Sequence, residues 1–350
     1  MRPYDHGGDV YSHPVELDFS SNINPMGMPD AALAALCACP SDFEAYPDPR
    51  CLRLTSAVAQ AEGVPESWVL CTAGASDAFL RVCLALRPRT ALVVSPSFSG
   101  YGHSLRQADA EIRTHDLREC EGFALTDRVL ADLTPDVDLA FFCTPNNPTG
   151  CTVEAGLLER IVARAAAQDT VVVVDECFLD FADQPSAVRL CAAYPQLIVV
   201  KAFTKSYAMA GLRVGWCVCS DEALLDRVYG CGAEWAVSSP AQAAALAALS
   251  EAGYLERTRA YVAAERAYLA SGLAESGLRV VPSEANYLLF QVPVAFDLKA
   301  ALLERGILIR SFVHCRNLGP TWFRVAVRTH RENVRLLHEI QEVSCAWQRP

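Results

Sequence analysis

Between about residues 68 and 220, short apolar runs alternate with helix-like segments, and this pattern predicts the central sheet. The apolar runs cover residues 68–71, 90–95, 139–144, 170–175, 197–200 and 214–219. Helix-like stretches such as residues 76–86 and 154–168 lie between them. Near-continuous β-branched strands separated by helices are typical of a sheet that helices cover on both faces. We therefore expect an α/β fold with a mostly parallel central sheet.

The last third of the chain has a different pattern, which predicts a smaller α+β domain. Residues 239–276 are alanine-rich and read as a long helical connection. Strand-like stretches at 279–292, 307–311 and 321–328 then alternate with helical stretches at 297–305 and 331–343. We expect a large α/β domain at 46–255 and a small α+β domain at 256–350. An N-terminal segment, 1–45, is expected to pack on the small domain or across a dimer partner.

Composition and charge narrow the function classes. Hydrophobic residues make up 52% of the 350 residues, charged residues make up 20%, and the formal net charge is −11. A nucleic-acid or anionic-membrane surface requires a basic face, so neither partner is expected. A small anionic substrate remains compatible with locally clustered arginines. The sequence has no apolar stretch of membrane-spanning length and no signal-peptide pattern, so we expect a cytoplasmic protein.

The fifteen cysteines do not form a recognisable metal-binding pattern. Without an export signal, reduced thiols that pack as small apolar residues are the default. The pairs Cys37/Cys39 and Cys217/Cys219 lack zinc-site spacing, so no metal is expected. Alternation along a strand would place Cys217 and Cys219 on one face, which favours a packing role.

Lys205 is the first candidate for chemistry, because the chain has only three lysines. It follows the apolar run 197–200, directly after Thr204 and ahead of Arg213. Ligands gather at the carboxyl ends of strands in such sheets. This arrangement suits an amine that forms a Schiff base beside an anchored phosphate. A solvated lysine at a strand end is the alternative.

Two further strand ends carry residues suited to a cationic heteroaromatic ring. Asp175 ends a buried run, where an unpaired carboxylate is costly, and a protonated ring nitrogen would pair with it. Asn147 lies in a turn rich in proline and could donate to a ring oxygen. The alternatives are an aspartate that caps a turn and an ordinary Asn-Pro turn.

A phosphate site is predicted where residues 74–76 open a helix. Backbone N–H groups there, with the Ser76 and Thr204 hydroxyls and Arg213, could hold a phosphate. A plain helix cap is the competing interpretation. Tyr101 could stack on a planar ring, or it could be a core residue with its hydroxyl at the surface.

The order of these residues resembles the aspartate-aminotransferase-like, fold type I family of pyridoxal phosphate enzymes over nearly the full chain. The motifs that carry the resemblance are residues 6–8, 17–25, 46–48, 144–150, 175–178, 204–205, 211–213, 285–288, 309–311 and 323–327. Within the family, the chain is most similar to the threonine-phosphate decarboxylases of cobalamin biosynthesis. The histidinol-phosphate aminotransferases are near relatives.

The resemblance implies pyridoxal 5'-phosphate as the cofactor. It implies that Lys205 forms the Schiff base, Asp175 pairs with the pyridine nitrogen, Asn147 binds the ring oxygen and Tyr101 covers the ring. Tyr46 would reach the cofactor phosphate of a neighbouring subunit, so a homodimer is implied. The whole cofactor-binding set is Tyr46, Gly74, Ala75, Ser76, Tyr101, Asn147, Asp175, Phe178, Thr204, Lys205 and Arg213. Lys205, Asp175 and Tyr101 are the implied catalytic residues.

For the substrate, the resemblance implies a small phosphorylated amino acid. Arg324 would meet its α-carboxylate, next to Asn147, while Arg310, His6 and Asn22 would receive its phosphate. Two arginines from different strands suit a molecule with two separated anionic ends. The alternatives are a surface salt bridge for each arginine and a disordered terminus for His6.

Three positions depart from the family pattern. Ala202 stands where many relatives have a hydroxyl residue, and Ala75 replaces a larger or acidic residue. Phe178 stands where aminotransferases commonly have a tyrosine. The resemblance implies that the decarboxylases also have a phenylalanine at this position. Phe178 and the motif at residues 6–8 therefore favour decarboxylation. Histidinol-phosphate transamination and a non-catalytic module that kept the fold are the alternatives.

Overall fold

The computed structural model describes residues 7–38 and 44–348 of the chain, with side chains as far as residue 344. The strands are β1 (Leu17–Asp18), β2 (Val69–Thr72), β3 (Thr90–Ser95), β4 (Glu111–Asp116), β5 (Leu139–Cys143), β6 (Val171–Asp175), β7 (Leu197–Ala202), β8 (Gly215–Val218), β9 (Arg279–Val280), β10 (Tyr287–Gln291), β11 (Ile307–Leu308), β12 (Arg310–Ser311) and β13 (Trp322–Ala326). The helices are α1 (Asp30–Ala38), α2 (Leu52–Glu62), α3 (Ala75–Leu86), α4 (Ser99–Gln107), α5 (Val129–Asp132), α6 (Ala155–Ala166), α7 (Phe203–Ser206), α8 (Glu222–Gly230), α9 (Ser239–Ser250), α10 (Tyr254–Glu275), α11 (Leu298–Leu303) and α12 (His330–Gln348).

Seven strands form the central sheet, in the order β2-β8-β7-β6-β5-β3-β4. The pairs among β7, β6, β5, β3 and β4 are parallel. β8 is antiparallel to both of its neighbours, β2 and β7. The prediction of a mostly parallel sheet is therefore confirmed.

The alternating packing of β6 explains why its sequence is a continuous apolar run. Val172 and Val174 belong to one hydrophobic core, whereas Val173 belongs to a second core on the opposite face. Both faces of the strand are covered, so neither face needs polar residues. The sheet is thus a layer between two cores. Cys217 and Cys219 both lie in the second core, as their spacing predicted.

The sequence pattern missed β4 at the edge of the sheet. Among the strands of the described residues, β4 pairs only with β3, and its residues are mostly half-buried, with Glu111 exposed. An edge strand has one free side and more solvent contact, so it needs fewer apolar residues. The apolar-run criterion was therefore too strict for β4.

The C-terminal part forms a second sheet, in the order β12-β13-β10-β9, with antiparallel pairing throughout. Leu288, Phe290, Phe323 and Val325 lie in its core, together with residues of α10 and α12. Arg324 pairs with Leu289 in the register and so lies on the opposite face of this sheet. We call this part the small lobe and the part around the central sheet the large lobe. The domain boundaries stay a prediction.

The N-terminal segment contacts both lobes. β1 pairs in parallel with β11, and Phe19 lies in the core of the small lobe. α1 instead packs against α9, in the range assigned to the large domain. The segment therefore contacts α9 as well as the small lobe, and its assignment as a unit that packs on the small domain or across a dimer partner stays a prediction. None of the helices in the described ranges is long and apolar enough to cross a membrane.

Candidate active site

The sheet topology brings the predicted cofactor residues to one edge of the large lobe. Gly74, Asn147, Asp175 and Lys205 lie at or just beyond the carboxyl ends of β2, β5, β6 and β7. Arg213 precedes its strand, but β8 runs in the opposite direction, so its amino end lies at the same edge. The edge therefore collects residues from five strand termini.

Lys205 lies on α7, half-buried, with its Nζ 5.9 Å from the centre of the Phe178 ring. Burial lowers the pKa of this amine to about 8, and the positive charge of Arg324 acts in the same direction. A lysine with this pKa has a substantial neutral fraction near neutral pH. It can therefore act as a nucleophile.

Lys201, on the preceding strand β7, has a different environment. Its Nζ lies 2.8 Å from Glu62 Oε1 in a mostly buried ion pair. Burial alone would lower the pKa of Lys201, but the charges of Glu62, Asp180 and Glu176 outweigh it and raise the pKa. The two amines therefore differ in protonation although they are close in sequence.

Asp175 is 4% exposed and accepts two hydrogen bonds. The Tyr101 hydroxyl donates to Oδ2 at 2.6 Å, and the Cys177 backbone N–H donates to Oδ1 at 2.9 Å. Burial raises the pKa of Asp175, and both donors oppose that rise. Since the two donors are uncharged, the carboxylate is suited to a cationic partner.

Tyr101 lies in a cluster of aromatic rings beside Asp175. It is 1% exposed, and its ring stacks on Phe141 with centroids 5.0 Å apart. Phe79 and Phe98 contact it edge-on. Its hydroxyl is the one that donates to Asp175, so the side chain lies next to the predicted ring-nitrogen partner. That Tyr101 covers the cofactor ring stays a prediction.

The predicted phosphate cradle lies between α3 and Arg213. Gly74 precedes α3 with φ of +88°, and a Cβ there would lie 2.7 Å from Arg213 Nη2. The glycine therefore leaves the space that the guanidinium occupies. Arg213 also donates to the Ala73 carbonyl at 3.4 Å. Ser76 is exposed in the first turn of α3, while Ala75 and Thr204 are half-buried.

Two arginines of the small lobe lie side by side. Arg310 and Arg324 are direct cross-strand partners of β12 and β13, so their side chains lie on the same face. Arg324 is 6% exposed, and its guanidinium lies 5.2 Å over the Tyr287 ring. Burial lowers the pKa of Arg324 to about 10, and Arg310 contributes in the same direction. Adjacent like charges in a buried place favour an anionic ligand.

Arg324 links the two lobes. Its Nη1 donates to Asn147 Oδ1 at 2.5 Å, and its Nη2 donates to the Ser20 carbonyl at 2.7 Å. The arginine therefore connects the N-terminal segment at Ser20 to Asn147 of the large lobe. Sequence reasoning missed Ser20 and Tyr287 as its neighbours, because neither contact leaves a local motif in the chain.

The remaining predicted residues lie in three different settings. Asn22 is 2% exposed, and its Oδ1 has no hydrogen-bond partner within the described part of the chain. Such buried atoms point to a ligand or a water.

Tyr46 is 80% exposed and stacks on Trp235 with ring centroids 4.7 Å apart. Phe178 is buried against Tyr287, and His6 lies outside the described residues.

No group of three or more potential metal-ligating side chains occurs in the described ranges 7–38 and 44–344.

Comparison with known proteins gives the family. The model of the family "Aminotransferase class I and II" matches residues 14–340. The chain belongs to this family. Members of this family depend on pyridoxal phosphate.

Relatives within the class I and II aminotransferases include two kinds of enzyme. The chain is 38% identical to the threonine-phosphate decarboxylase of Salmonella typhimurium, covering 97% of this chain and 96% of the relative. It is 35% identical to the histidinol-phosphate aminotransferase of Symbiobacterium thermophilum, with the same two coverages. The solved structure of the histidinol-phosphate aminotransferase from Clostridium acetobutylicum aligns with a TM-score of 0.88. That alignment is 24% identical and covers 94% of this chain and 99% of the other, so it shows the shared fold.

The residues of this chain fit the family's cofactor. The Arg213–Gly74 cradle at the start of α3 suits its phosphate, because helix N-termini and guanidinium groups both bind phosphate. The buried carboxylate of Asp175 suits a protonated ring nitrogen, and the amine of Lys205 suits its aldehyde. These three groups lie at one sheet edge, at the ends of β2, β6 and β7 and the start of β8.

Proposed function

We propose that this chain is a pyridoxal-phosphate-dependent decarboxylase that converts L-threonine O-3-phosphate to 1-aminopropan-2-ol O-phosphate and carbon dioxide, in cobalamin biosynthesis. The observation that carries the proposal is the cross-strand pair Arg310 and Arg324. Two adjacent cations on one face suit a substrate with two anionic ends. The 38% identity to a protein named threonine-phosphate decarboxylase supports the same substrate class.

The cofactor half of the proposal rests on the large lobe. When bound, the cofactor supplies an electron sink for the pair left at Cα as carbon dioxide departs. Lys205, with a pKa of about 8, supplies the amine that binds it. Asp175 pairs with its ring nitrogen, Asn147 contacts its ring oxygen, and Arg213 with the start of α3 holds its phosphate.

The substrate half rests on the small lobe. Arg324 binds the α-carboxylate, and Arg310 with Asn22 receives the phosphate; His6 is proposed to join them. Holding both anionic ends fixes which bond at Cα is oriented to break, as positioning catalysis requires. The Cα–carboxylate bond breaks, and Lys205 donates the proton that Cα gains.

A homodimer with shared sites is part of the proposal. Tyr46, Trp235 and Leu52 are 80%, 42% and 59% exposed, which is unusual for large apolar side chains. A second copy of the chain would cover them and bring Tyr46 to the neighbouring cofactor phosphate. Light scattering tests the assembly. Mixing Lys205→Ala with Tyr46→Ala subunits tests sharing. In an equal mixture about half of the dimers are hybrids with one intact site of two, so the mixture should regain about a quarter of the wild-type activity.

Histidinol-phosphate transamination is the second candidate, because a protein of that name is 35% identical to this chain. Phe178 favours decarboxylation, since its buried ring has no hydroxyl to offer a ring oxygen. The two candidates predict different products from the same purified holoprotein.

The deciding experiment gives the holoprotein either L-threonine O-3-phosphate or histidinol phosphate with 2-oxoglutarate. Release of carbon dioxide and aminopropanol phosphate from the first substrate is expected. Stoichiometric glutamate formation, without carbon dioxide, would overturn the decarboxylase proposal. The Lys205→Ala variant controls for uncatalysed decarboxylation.

A further inference from the structure

The glycine pair Gly7 and Gly8 packs closely on the chain at Ser20. The Gly8 N–H donates to Ser20 Oγ at 2.7 Å. A Cβ at Gly7 would lie 2.2 Å from the Ser20 carbonyl oxygen, and a Cβ at Gly8 would lie 2.8 Å from Ser21 Oγ. Gly8 also has φ of +88°, which side-chain-bearing residues rarely adopt. Only glycines allow the two segments to approach this closely.

Ser20 is itself held in one orientation. Its backbone N–H and its hydroxyl both donate to Asp18 Oδ1, at 2.8 Å and 2.6 Å. The hydroxyl proton is therefore used on Asp18, and the hydroxyl oxygen accepts from Gly8. Ser20 is 2% exposed, so water does not readily replace these contacts.

The carbonyl of the same serine contacts the substrate side of the site. It accepts a hydrogen bond of 2.7 Å from Arg324 Nη2. It is also the atom nearest to the missing Cβ of Gly7. The other terminal nitrogen of Arg324, Nη1, is bonded to Asn147. The plane of the guanidinium is therefore fixed by two points, of which Ser20 is one.

We infer that Ser20 is a positioning residue that couples the docking of Gly7 and Gly8 to the orientation of Arg324. The inference deepens the proposed function and rests on it for the identity of the bound anion. Displacement of the glycine pair releases one restraint on the guanidinium, and an anion on Arg324 stabilises the docked glycine pair in return. Such coupling is reciprocal by thermodynamic necessity.

The first arm of the test needs no turnover. Amide hydrogen exchange at Gly8 is measured in the holoprotein for the wild type, Ser20→Ala and Ser21→Ala. Ser20→Ala removes the acceptor of the Gly8 N–H, so exchange should be about tenfold faster. Ser21→Ala is the matched control and should exchange as the wild type does. Unchanged exchange in Ser20→Ala would show that this hydroxyl does not dock the segment.

The second arm measures KM and kcat with L-threonine O-3-phosphate. Ser20→Ala should raise KM about tenfold and leave kcat within about twofold. The reason is that the weakened contact of Arg324 with the substrate carboxylate is equally strong in the bound substrate and in the transition state. Ser21→Ala should change neither constant. Faster exchange at Gly8 with an unchanged KM would overturn the coupling. A fall in kcat alone would also contradict it.

A second variant and a second readout separate the possible failures. Gly7→Ala keeps the Ser20 side chain and crowds the same carbonyl, so it should raise KM as Ser20→Ala does; an unchanged KM overturns the inference. If the wild type releases no carbon dioxide from threonine phosphate, the proposed function fails. Calorimetric binding of threonine phosphate to the same variants then replaces KM, and equal affinities in wild type and Ser20→Ala would sink the inference separately.

Discussion

The two lobes contribute to the candidate site in different ways. The large lobe supplies residues from the termini of several strands in one doubly covered sheet. The small lobe supplies two arginines from neighbouring strands on one face of an antiparallel sheet. The first arrangement follows from strand direction alone, whereas the second also depends on register. A register slip of one residue would turn Arg324 into the core of the small lobe.

The lobes also differ in the sign of the charges that they contribute to the candidate site. The large lobe contributes the buried carboxylate of Asp175, which accepts from two neutral donors. The small lobe holds two adjacent cations, and the negative charge of Asp18 acts on Arg324. We therefore expect variants of the large lobe to change cofactor binding and kcat. Variants of the small lobe should change KM.

Replacing the reactive amine should have the largest effect. Lys205→Ala should lower the rate of decarboxylation by at least about a thousandfold, because the neighbouring amine, that of Lys201, is held protonated in its ion pair with Glu62. Carbon dioxide release and cofactor absorbance are the measurements. Lys299→Ala, on α11 of the small lobe, is the matched control and should keep both. Retention of more than a tenth of the activity in Lys205→Ala would remove the lysine from the chemistry.

Neutralising the buried carboxylate should have the next largest effect. Asp175→Asn keeps the shape of the side chain but cannot pair with a cationic ring nitrogen. We expect kcat to fall about a hundredfold and the cofactor to dissociate more readily. Titration of the apoprotein with cofactor measures affinity, and KM for threonine phosphate should change little. A selective rise in KM would contradict the division between the lobes.

Replacing Arg324 of the small lobe should raise KM and leave cofactor affinity unchanged, the reverse of what we expect for Asp175→Asn. Arg324→Gln should raise KM about thirtyfold, because a charged hydrogen bond to the substrate carboxylate is lost. The cofactor dissociation constant should stay within about twofold. Arg305→Gln, which alters a surface ion pair with Glu339, is the control. Loss of cofactor binding in Arg324→Gln would mean that the halves of the site are not separable.

Removing the Tyr101 hydroxyl that donates to Asp175 should have a smaller effect, again on cofactor affinity. Tyr101→Phe keeps the stacking on Phe141 and deletes one hydrogen bond to the carboxylate. We expect cofactor affinity to fall about fivefold, the typical cost of one such bond. Apoprotein titration measures it. A larger loss than in Asp175→Asn would mean that the hydroxyl of Tyr101 acts on the cofactor directly and not through Asp175.

The smallest effect concerns pH. In the apoprotein, Lys205 has a pKa of about 8 against an ordinary value of 10.5. Between these values the unfolded chain binds more protons than the folded chain, so stability should rise with pH across this window. Lys205→Met should be more stable than the wild type below pH 8, and the difference should shrink towards pH 10.5. Thermal unfolding of both apoproteins tests this, and parallel pH profiles would contradict the lowered pKa.

The sequence predicted the large lobe well for a physical reason. Doubly buried strands such as β6 are marked by runs of valine, and the residues at their carboxyl ends necessarily share one edge. Asn147, Asp175 and Lys205 could therefore be grouped without coordinates. The polar edge strand β4 lacks that mark and was missed.

Other contacts could not be predicted from local patterns. Tyr101 packs against Phe141 and Phe79 and donates a hydrogen bond to Asp175, and no local motif in the chain marks these partners. The contact between Arg324 and Ser20 joins a side chain to a backbone carbonyl far away in the chain. Any residue type supplies a carbonyl, so no sequence signal marks such a partner.

The ion pair of Lys201 with Glu62 has a consequence for chemical selectivity. Since Lys201 keeps its proton, an aldehyde that reaches this stretch of chain finds only one competent amine, that of Lys205. Carbonyl and acylating reagents used at mildly alkaline pH should consequently modify Lys205 and spare Lys201. Discrimination between the two amines is thus made by ionisation rather than by shape, and it offers a selective point for attaching a reporter group.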